Sequence, residues 1–478
     1  MSEEQRLRAV SRTVSRLSAI PSLAGLLVLI ACDSPPWPWS QDGVPYDGPL
    51  APTGTASLDT AGISFWLEDI KVIDVASVPP DGASPATLVL GHSSCSALSI
   101  HEQGCTSVLY GPQSEGSHDL IGSKPPRLLG SDWEQAGDNV AAGDVDGDGH
   151  TDFLISASDD DGKAYLVYGP LADSESRSLG EADSTLTATW TQTGYLSTMG
   201  DLDGDGLADL VVVHGGLYPV VGPVQVVYEP VRGPVDLDDN EVRIFGWEDG
   251  FSLQSVDSGA DLNGDGIDDL VVGAAEEGKS GPVYVFHGPV EGEQYLDGAD
   301  GVIRSDDTYT ALGQATSVTG DEDGDGCADL LVGAPLFATD RGAAYLFLGP
   351  IEGELHVTGA QATIQRQTTR SSLGAGVALV DLTADGLADV AVGADDLTDD
   401  MPTDGAVYIF YAPIGGTHDV ERDGYDAARY TPEGDTPYGA RGAGAPLRSA
   451  WDINEDGFDD LFVGGHPDQF WIVLGGAL

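Results

Sequence analysis

The apolar positions of this chain fall into short runs rich in Val, Leu and Ile. Six of these runs directly follow an acidic segment of nine residues, and they read "FLISA", "LVVV", "LVVGA", "LLVGAP", "VAVGA" and "LFVGG". A second, aromatic-rich run comes some 20 to 30 residues later and usually ends in Gly-Pro, as in "AYLVYGP" from Ala164 and "VYVFHGP" from Val283. Short apolar runs bounded by Gly, Pro and Asp indicate strands separated by turns.

The two runs recur together with a period of about 60 residues. A further copy stands upstream, where "ATLVLGH" (86–92) and "SVLYGP" from Ser107 follow "PPDGASPAT" instead of an acidic segment. Each unit also offers a strand before the acidic segment and a variable fourth strand. Seven units of four short antiparallel strands predict an all-β fold, a seven-bladed β-propeller with calcium loops in six blades. A solenoid is the alternative, although its repeats are usually shorter.

Closing such a ring requires a strand from outside the last unit. The chain ends at Leu478, shortly after the third run of that unit, "FWIVLGG" from Phe470. We expect the segment around Ala56 to Trp66 to supply the missing strand. The propeller is therefore predicted to span residues 61–478.

Composition and charge agree with this fold and limit its partners. The 65 Gly and 28 Pro among 478 residues leave little room for long helices. The formal net charge of −59 at pH 7 would repel nucleic acid and an anionic membrane surface, so neither is expected to bind the folded domain. Cations are the expected counterpart, and we expect a monomer.

The first 31 residues are expected to be an export signal, because four arginines precede a mostly apolar stretch, Leu17 to Ala31. Its ending "LIAC" resembles the lipobox of bacterial lipoproteins. The resemblance implies cleavage before Cys32, a lipid on the Cys32 sulfur and a location in the bacterial cell envelope, outside the cytoplasm. The alternative is a simple secretory signal followed by an incidental cysteine. The Pro-rich residues 32–60 are expected to form an extended, poorly packed tether.

Three further cysteines remain. Cys95 and Cys105 are close in sequence, and export would place them where a disulfide persists, so we expect them to pair. Cys327 is left over and is expected to pack as a small side chain.

Two units, "SLQSVDSGADLNGDGIDDLVVGA" from Ser252 and "ALGQATSVTGDEDGDGCADLLVGAP" from Ala311, resemble FG-GAP repeats, the blades of the integrin alpha-subunit propeller. The resemblance covers about residues 60–478. It departs from the family in two respects: the Phe-Gly of the family name is mostly replaced, and among the runs that follow the acidic segments "GAP" is intact only at Gly333 to Pro335. Since no inserted domain or leg region appears, integrin signalling is not implied.

The acidic segments have the oxygen-rich composition that calcium requires. Side chains at loop positions 1, 3, 5 and 9 and the backbone carbonyl at position 7 would converge on one ion. Glycines such as Gly204 and Gly206 would permit the positive φ of a tight loop. Up to six calcium ions are therefore predicted, with these ligand positions: Asp144, Asp146, Asp148, His150 and Asp152; Asp201, Asp203, Asp205, Leu207 and Asp209; Asp261, Asn263, Asp265, Ile267 and Asp269; Asp321, Asp323, Asp325, Cys327 and Asp329; Asp381, Thr383, Asp385, Leu387 and Asp389; Asp452, Asn454, Asp456, Phe458 and Asp460.

The alternative for any single copy is an acidic surface turn, but six copies in register favour metal binding. Without a cation the carboxylates would repel one another and resist joint ionisation. An EF-hand is excluded because position 12 holds residues such as Val212 rather than Glu. The side chain at position 7 is expected to point away, which would explain its variety. The fifth and sixth copies are the weakest, with Thr383, Ala384 and Glu455 at unusual positions.

Catalytic and nucleotide-binding signals are weak. "GAAEEGKS", Gly273 to Ser280, matches a phosphate-binding pattern, but a strand rather than a helix is expected to follow it. Neither G-x-S-x-G nor H-E-x-x-H occurs. We therefore expect no enzyme, no catalytic residue and no organic cofactor.

The predicted function is a lipid-anchored, calcium-stabilised binding or adhesion module for an unknown protein or glycan. In the FG-GAP family partners usually bind the face opposite the metal loops. That resemblance points to four connections: His92 to Cys105, His214 to Val221 with Tyr218, Pro335 to Arg341 with Phe337, and Asp395 to Asp404. Unremarkable surface is the alternative for these loops. A scaffold of an extracellular hydrolase or lyase for polysaccharide or lipid is the alternative function, which acids converging on the central channel would favour.

Overall fold

The computed structural model describes residues 54–57, 62–66, 72–80, 85–92, 104–114, 116–119, 123–131, 134–157, 162–189, 193–214, 223–228, 230–246, 251–276, 281–308, 310–367, 371–394, 405–430, 445–465 and 469–476. The predicted signal peptide, the lipidation site Cys32 and most of the predicted tether lie outside these residues. So do Cys95 and three of the four connections expected to recognise a partner. Predictions for these segments stay predictions.

The described strands form seven five-stranded sheets, the blades of a β-propeller. Strands are numbered β1 to β35 in chain order, and the first two, β1 (Gly54–Ser57) and β2 (Gly62–Trp66), belong to the last two blades. From the centre outward, the blades consist of the following strands: blade 1, β3 (Val72–Val78), β4 (Thr87–His92), β5 (Cys105–Tyr110), β7 (Arg127–Leu129) and β11 (Ser176–Ser178); blade 2, β8 (Ala136–Gly143), β9 (Asp152–Ala157), β10 (Lys163–Val167), β12 (Ser184–Thr187) and β16 (Gly233–Asp236); blade 3, β13 (Thr193–Gly200), β14 (Asp209–His214), β15 (Val224–Val227), β17 (Arg243–Phe245) and β21 (Glu293–Tyr295); blade 4, β18 (Phe251–Asp257), β19 (Leu270–Glu276), β20 (Val283–Phe286), β22 (Gly301–Arg304) and β26 (Gly353–His356); blade 5, β23 (Thr316–Gly320), β24 (Asp329–Ala334), β25 (Ala343–Phe347), β27 (Ala362–Gln365) and β31 (Gly416–Asp419); blade 6, β28 (Leu373–Val380), β29 (Asp389–Ala394), β30 (Ala406–Phe410), β32 (Ala427–Tyr430) and β1; blade 7, β33 (Leu447–Trp451), β34 (Asp460–Val463), β35 (Gln469–Val473), β2 and β6 (Gly116–Asp119).

The innermost strands of neighbouring blades contact one another in a closed ring, including β33 with β3 across the closure. The second strand of each blade is buried on both faces, which is why its sequence is a continuous apolar run rather than an alternation; β14, for example, is buried throughout. Seven apolar clusters fill the interfaces between adjacent blades. The predicted fold class, an all-β seven-bladed propeller, is confirmed.

The ring is closed by β2, as the sequence predicts. Gly62 to Trp66 pairs antiparallel with β35, residue by residue from Val473 to Gln469. Ile63 is buried in the apolar cluster between blades 7 and 1, together with Phe462 and Phe470. Upstream, β1 pairs in parallel with β32, so four residues of the predicted tether belong to a blade. This corrects the expectation that the whole of residues 32–60 is poorly packed.

Each blade has five strands instead of the predicted four. The fifth strand is contributed by the following unit, between its third and fourth strands, and pairs in parallel with the fourth strand of the preceding blade. These fifth strands are short and mostly polar. In β16, for example, none of the four residues is buried. They therefore lack the apolar pattern from which a strand can be predicted.

Helices are few and short in the described part of the chain. An α-helical turn, α1 (Phe337–Asp340), lies between β24 and β25, and 3-10 turns occupy Leu179–Glu181, Leu237–Asp239, Leu296–Gly298 and Val357–Gly359. No helix among the described residues is long and apolar enough to cross a membrane.

The cysteines give one correction. Cys105 is buried at the start of β5, and its predicted disulfide with Cys95 stays a prediction because Cys95 is outside the described residues. Cys327 is buried and disulfide-bonded, so it is not the leftover small side chain that we expected. Its partner is not among the described cysteines.

Candidate functional site

The six acidic loops all connect the first and second strands of their blades, so they lie on the same face of the propeller. Loop position 9 falls at the start of the second strand, at or next to its first residue. The residues there are called the closing aspartates: Asp152, Asp209, Asp269, Asp329, Asp389 and Asp460. The residues at position 12, such as Val212, are buried within the second strands, which confirms that these loops are not EF-hands. Blade 1 keeps its strands without a loop of this type, as predicted.

The aspartate at position 1 organises each loop from within. In the second loop Asp201 accepts hydrogen bonds from the backbone amides of Gly204 (2.8 Å) and Gly206 (2.9 Å). Both glycines have positive φ, 79° and 86°, as the sequence indicates. Ala384 and Glu455 take the same conformation at position 4 of the fifth and sixth loops, with φ of 54° and 61°. These two loops therefore keep the shape at some cost in backbone strain.

The closing aspartates tie the loop to its blade. Asp329 Oδ2 accepts the Glu322 amide (2.5 Å), and its Oδ1 accepts the Gly349 amide (2.9 Å). Asp209 Oδ2 accepts the equivalent hydrogen bond, from the Leu202 amide (2.8 Å). Asp209 Oδ1, however, is buried without a hydrogen-bond partner. The equivalent amide-to-carboxylate contacts recur in the other loops.

The pKa of every closing aspartate is raised above its ordinary value. Burial is the largest cause, and the other carboxylates of the same loop add to it, while backbone hydrogen bonds oppose it. The pKa rises to about 8 for Asp209, Asp389 and Asp460. It rises to about 7 for the remaining three: Asp152, Asp269 and Asp329. Joint ionisation of the loop is therefore costly unless a cation compensates it.

The oxygen positions fit a cation. Three loops bring three carboxylate oxygens within 4.8 Å of one another, in these groups: Asp144, Asp146 and Asp152; Asp201, Asp203 and Asp209; Asp321, Asp323 and Asp325. Three oxygens at predicted ligand positions are also buried without a hydrogen-bond partner, namely Asp146 Oδ1, Asp209 Oδ1 and Thr383 Oγ1. Buried oxygens normally find a donor, so a bound cation would satisfy these three. Thr383 extends this fit to the fifth loop.

Neighbouring loops are joined to one another. The amide at position 8 donates to the position 1 carbonyl of the preceding loop in five successive contacts of 2.8–3.2 Å: Ala208 to Asp144, Asp268 to Asp201, Ala328 to Asp261, Ala388 to Asp321 and Asp459 to Asp381. In three loops the position 7 side chain, Leu207, Ile267 or Leu387, packs on the loop before it. A Cβ added at Gly147 would lie 3.0 Å from Leu207 Cδ2, and one at Gly204 would lie 3.0 Å from Ile267 Cγ1. A small residue at position 4 therefore has a packing reason as well as a conformational one.

Comparison with known proteins agrees with this architecture. The family model for the FG-GAP repeat matches residues 253–286 and 312–347, which hold the loops of blades 4 and 5. The chain carries FG-GAP repeats. Similar proteins include phosphatidylinositol-glycan-specific phospholipase D of Mus musculus, 35% identical over 34% of this chain and 22% of that protein. Integrin alpha-X of Homo sapiens is 36% identical over 30% of this chain and 13% of its own length. Integrin alpha pat-2 of Caenorhabditis briggsae is 28% identical over 42% of this chain and 18% of its own length.

The FG-GAP propeller thus resembles both an enzyme and integrin chains, and it spans about a fifth of the phospholipases that it matches. The similarity supports the repeats and the propeller, while the whole proteins' activities do not follow from it.

In the first loop of the FG-GAP propeller a side chain already provides positive charge. Arg232 Nη2 lies 2.9 Å from Asp146 Oδ2, and the guanidinium stacks 4.1 Å above the Tyr168 ring. The Arg232 side chain is 62% exposed, so this ion pair contributes little to stability. Asp146 Oδ1 remains available to a cation.

Glu322 is a buried residue that the sequence analysis missed. It stands at position 2 of the fourth loop, where the other loops place buried Val, Leu or Ile. Its Oε1 accepts the backbone amide of Ile414, and its Oε2 is buried without a partner. Burial, together with the nearby Asp329 and Asp323 carboxylates, raises the Glu322 pKa to about 8, against the hydrogen bond from Ile414. Glu322 is the one acid at a loop position that is otherwise apolar, and this exception could have identified it from the sequence.

We expect Glu322→Gln to stabilise the chain at high pH only. Between pH 4.5 and about 8 the unfolded state releases the proton that the folded state keeps, so rising pH disfavours folding of the wild type. Gln keeps the acceptor for Ile414 and does not ionise. In calcium-free thermal melts the variant should therefore match the wild type at pH 4.5 and gain on the order of a few kcal/mol at pH 9. Glu354→Gln, at a side chain 79% exposed, is the control and should show no such gain. An equal effect of Glu322→Gln at both pH values would contradict the assignment.

The face opposite the loops is formed by the connections between second and third strands, where the resemblance placed partner binding. Of the four expected connections, 335–341 is described: Leu336 is 40% exposed, and Phe337 packs edge-to-face on Tyr345 at 6.4 Å. The phosphate-like "GAAEEGKS" begins within β19, and β20 follows it rather than a helix. It is a blade connection, as predicted.

The central channel holds charges that the sequence analysis did not find. It has a volume of about 410 Å³ and is lined by the innermost strands of all seven blades. Asp74, Asp257 and Arg448 are the charged residues among its described lining. Asp257 and Arg448 stand where other blades carry small, uncharged residues such as Ala141 and Thr198, and this difference was the available signal.

Proposed function

We propose that this protein is a calcium-binding, lipid-anchored propeller that acts outside the cytoplasm as a binding or adhesion module. The observation that supports calcium most directly is the set of buried, unpartnered oxygens at loop ligand positions. The raised pKa values of the closing aspartates also support it, because burial and the neighbouring carboxylates make their ionisation costly unless a cation compensates it. Lipid anchoring rests on "LIAC", Leu29 to Cys32, in the sequence.

Calcium would supply positive charge where several carboxylates meet. The residues that would hold it are the side chains at positions 1, 3, 5 and 9 and the position 7 carbonyl of each loop. The chain's own contribution is orientation: the position 1 aspartate is fixed by loop amides, and the closing aspartate is fixed by its blade. Because amides of one loop bond to the next, the loops would also brace the ring of blades.

This arrangement gives the loops a structural role and leaves the opposite face for partners. The loops sit at one end of the blades, and the connections between second and third strands sit at the other. A partner bound there, protein or glycan, would not compete with calcium. A pull-down from surface extracts and a glycan array with the full chain identify the partner; binding that is lost when the metal loops are altered but the fold is intact would contradict this division.

Calcium should raise the melting temperature of the full chain, and a chelator should lower it. A cation bound only by the folded state stabilises it by about 2.7 kcal/mol per site when its concentration is 100 times the dissociation constant. Magnesium should have a smaller effect, because it demands a rigid octahedral site. Asp201→Asn should reduce the calcium effect, whereas Asp306→Asn, at a side chain 98% exposed, should not. An unchanged melting temperature in chelator would contradict calcium binding.

The alternative is a propeller that scaffolds a hydrolase or lyase acting on polysaccharide or lipid. Two channel carboxylates support it, since burial raises the pKa of Asp74 and brings that of Asp257 to about 6. Turnover of a polysaccharide or a phosphatidylinositol-glycan substrate by the full chain, abolished by Asp257→Asn, would establish it. If neither the wild-type chain nor Asp257→Asn turned over any of these substrates, these substrate classes would be excluded.

A further inference from the structure

The central channel is a polar cavity separate from the metal loops. Its lining is rich in hydroxyl and amide groups, such as those of Ser197, Thr198 and Gln314. Among the described lining residues there is no aromatic ring. Its volume of about 410 Å³ lies within the range of small-molecule sites. The described lining therefore offers hydrogen bonds and charges to a ligand, but no surface on which a nucleobase or a sugar ring could stack.

The three channel charges come from both sides of the ring. Asp74 is on β3 of blade 1 and Arg448 on β33 of blade 7, which are adjacent blades, while Asp257 is on β18 of blade 4, three blades away from each. Asp257 pairs with Val271 and Arg448 with Phe462, each the second residue after its closing aspartate. Asp257 and Arg448 therefore lie at the same depth in the channel.

The repeat itself shows that the charges of Asp257 and Arg448 are not needed to build a blade. At the same register the other blades place small, uncharged residues, which pair as follows: Ala141 with Leu154, Thr198 with Val211, and Ala378 with Ala391. Asp257 and Arg448 are half-buried, and removing charges from water is costly unless they are compensated. Two such substitutions share one cavity with the carboxylate of Asp74, and together they point to a role beyond folding.

The three channel charges also form no ion pairs with one another among the described residues. The Arg448 guanidinium donates to the Leu447 carbonyl (3.1 Å), and no carboxylate within the described ranges is at ion-pair distance from it. Asp74 accepts the Val140 amide (2.9 Å), and Asp257 accepts the Ser258 amide (3.2 Å). The positive charge of Arg448 nevertheless acts on both carboxylates, lowering pKa values that burial has raised. Opposite charges thus face a shared cavity without direct contact.

We propose that the channel binds a small zwitterionic molecule, with its carboxylate on Arg448 and its ammonium group on Asp257 and Asp74. A simple anion would meet two carboxylates, and a simple cation would meet a guanidinium. A molecule with both charges satisfies both sides, and Arg is well suited to hold a carboxylate. This site goes beyond the proposed adhesion function and does not depend on the metal loops.

The test is titration calorimetry of the full chain in calcium buffer with glycine, β-alanine, 4-aminobutyrate and 6-aminohexanoate, and with butyrate and butylamine as single-charge controls. At least one amino acid should give saturable binding, at least tenfold tighter than either control. Arg448→Gln and Asp257→Asn should each weaken that binding at least tenfold. Arg422→Gln, at a side chain 65% exposed on the turn after β31, should not change it.

Circular dichroism and melting without probe establish that each variant is folded, and the two channel variants test the site independently of each other. No saturable binding by any of the four amino acids would overturn the proposal. Equal binding of butyrate or butylamine would overturn the zwitterionic assignment. Unchanged affinity in a folded channel variant would show that the amino acid does not bind in the channel.

Discussion

In a calcium-free buffer with chelator, the melting temperature of the full chain should fall by several degrees between pH 5 and pH 8.5. The six closing aspartates have folded pKa values of about 7 or about 8, against an unfolded value of 3.8. Above pH 4 the unfolded chain releases these protons while the folded chain keeps them, so stability declines as the pH rises, until both states are ionised above about pH 8.

The effect should be large because six loops contribute to it. One pKa unit corresponds to about 1.4 kcal/mol, so even a fraction of each shift adds up to several kcal/mol over the ring. Saturating calcium should remove most of the slope, since the cation replaces the protons. Asp209→Asn should reduce the slope in chelator, and Asp306→Asn should leave it unchanged. A melting temperature that rises or stays level over this pH range in chelator would contradict the raised pKa values of the closing aspartates.

Deleting residues 1–67 should destabilise the propeller severely, whereas deleting residues 1–53 should have little effect. The longer deletion removes β2, so that β35 loses its outer partner and the cluster between blades 7 and 1 loses Ile63. Truncating one buried Ile to Ala typically costs about 2–5 kcal/mol, and the loss of the whole strand should exceed that. The shorter deletion keeps all the described residues and both N-terminal strands.

The two deletion proteins should be compared by thermal melting and by size-exclusion chromatography. We expect the longer deletion to melt at least 10 °C lower or to fail to fold, and to associate through its exposed strand edge. Ile63→Ala in the full chain separates the loss of packing from the loss of the strand and should fall in between. Equal melting temperatures for both deletions would show that β2 does not close the ring.

Much of the fold was predictable because each unit repeats the same signals. A continuous apolar run such as Leu210 to Val213 is a strand buried on both faces, and the acidic segment before it can only be the turn between two strands. Closure by residues 62–66 could also be foreseen, because the last unit lacks a fourth strand. The positive φ at Gly204 and Gly206 follows from the spacing of the ligands.

What could not be predicted depends on contacts between units. The fifth strands are polar and short, and they form only because a neighbouring edge is exposed. Glu322 meets the amide of Ile414, 92 residues away, and nothing local to either residue indicates this contact. The charges of the channel come from three blades, so Asp257 and Arg448 face one cavity only once the ring has closed. Leu207 and Ile267 likewise pack on a different loop from their own.

The most direct test of the central claim is the calcium stoichiometry of the purified full chain, measured by equilibrium dialysis up to millimolar calcium. Calcium sites in extracellular modules bind with dissociation constants of about 10⁻⁴–10⁻³ M, so saturation should be approached in this range. We expect about six ions per chain, one per loop, and about one fewer in Asp201→Asn. No saturable binding, or an unchanged stoichiometry in Asp201→Asn, would contradict the assignment of these loops as calcium sites.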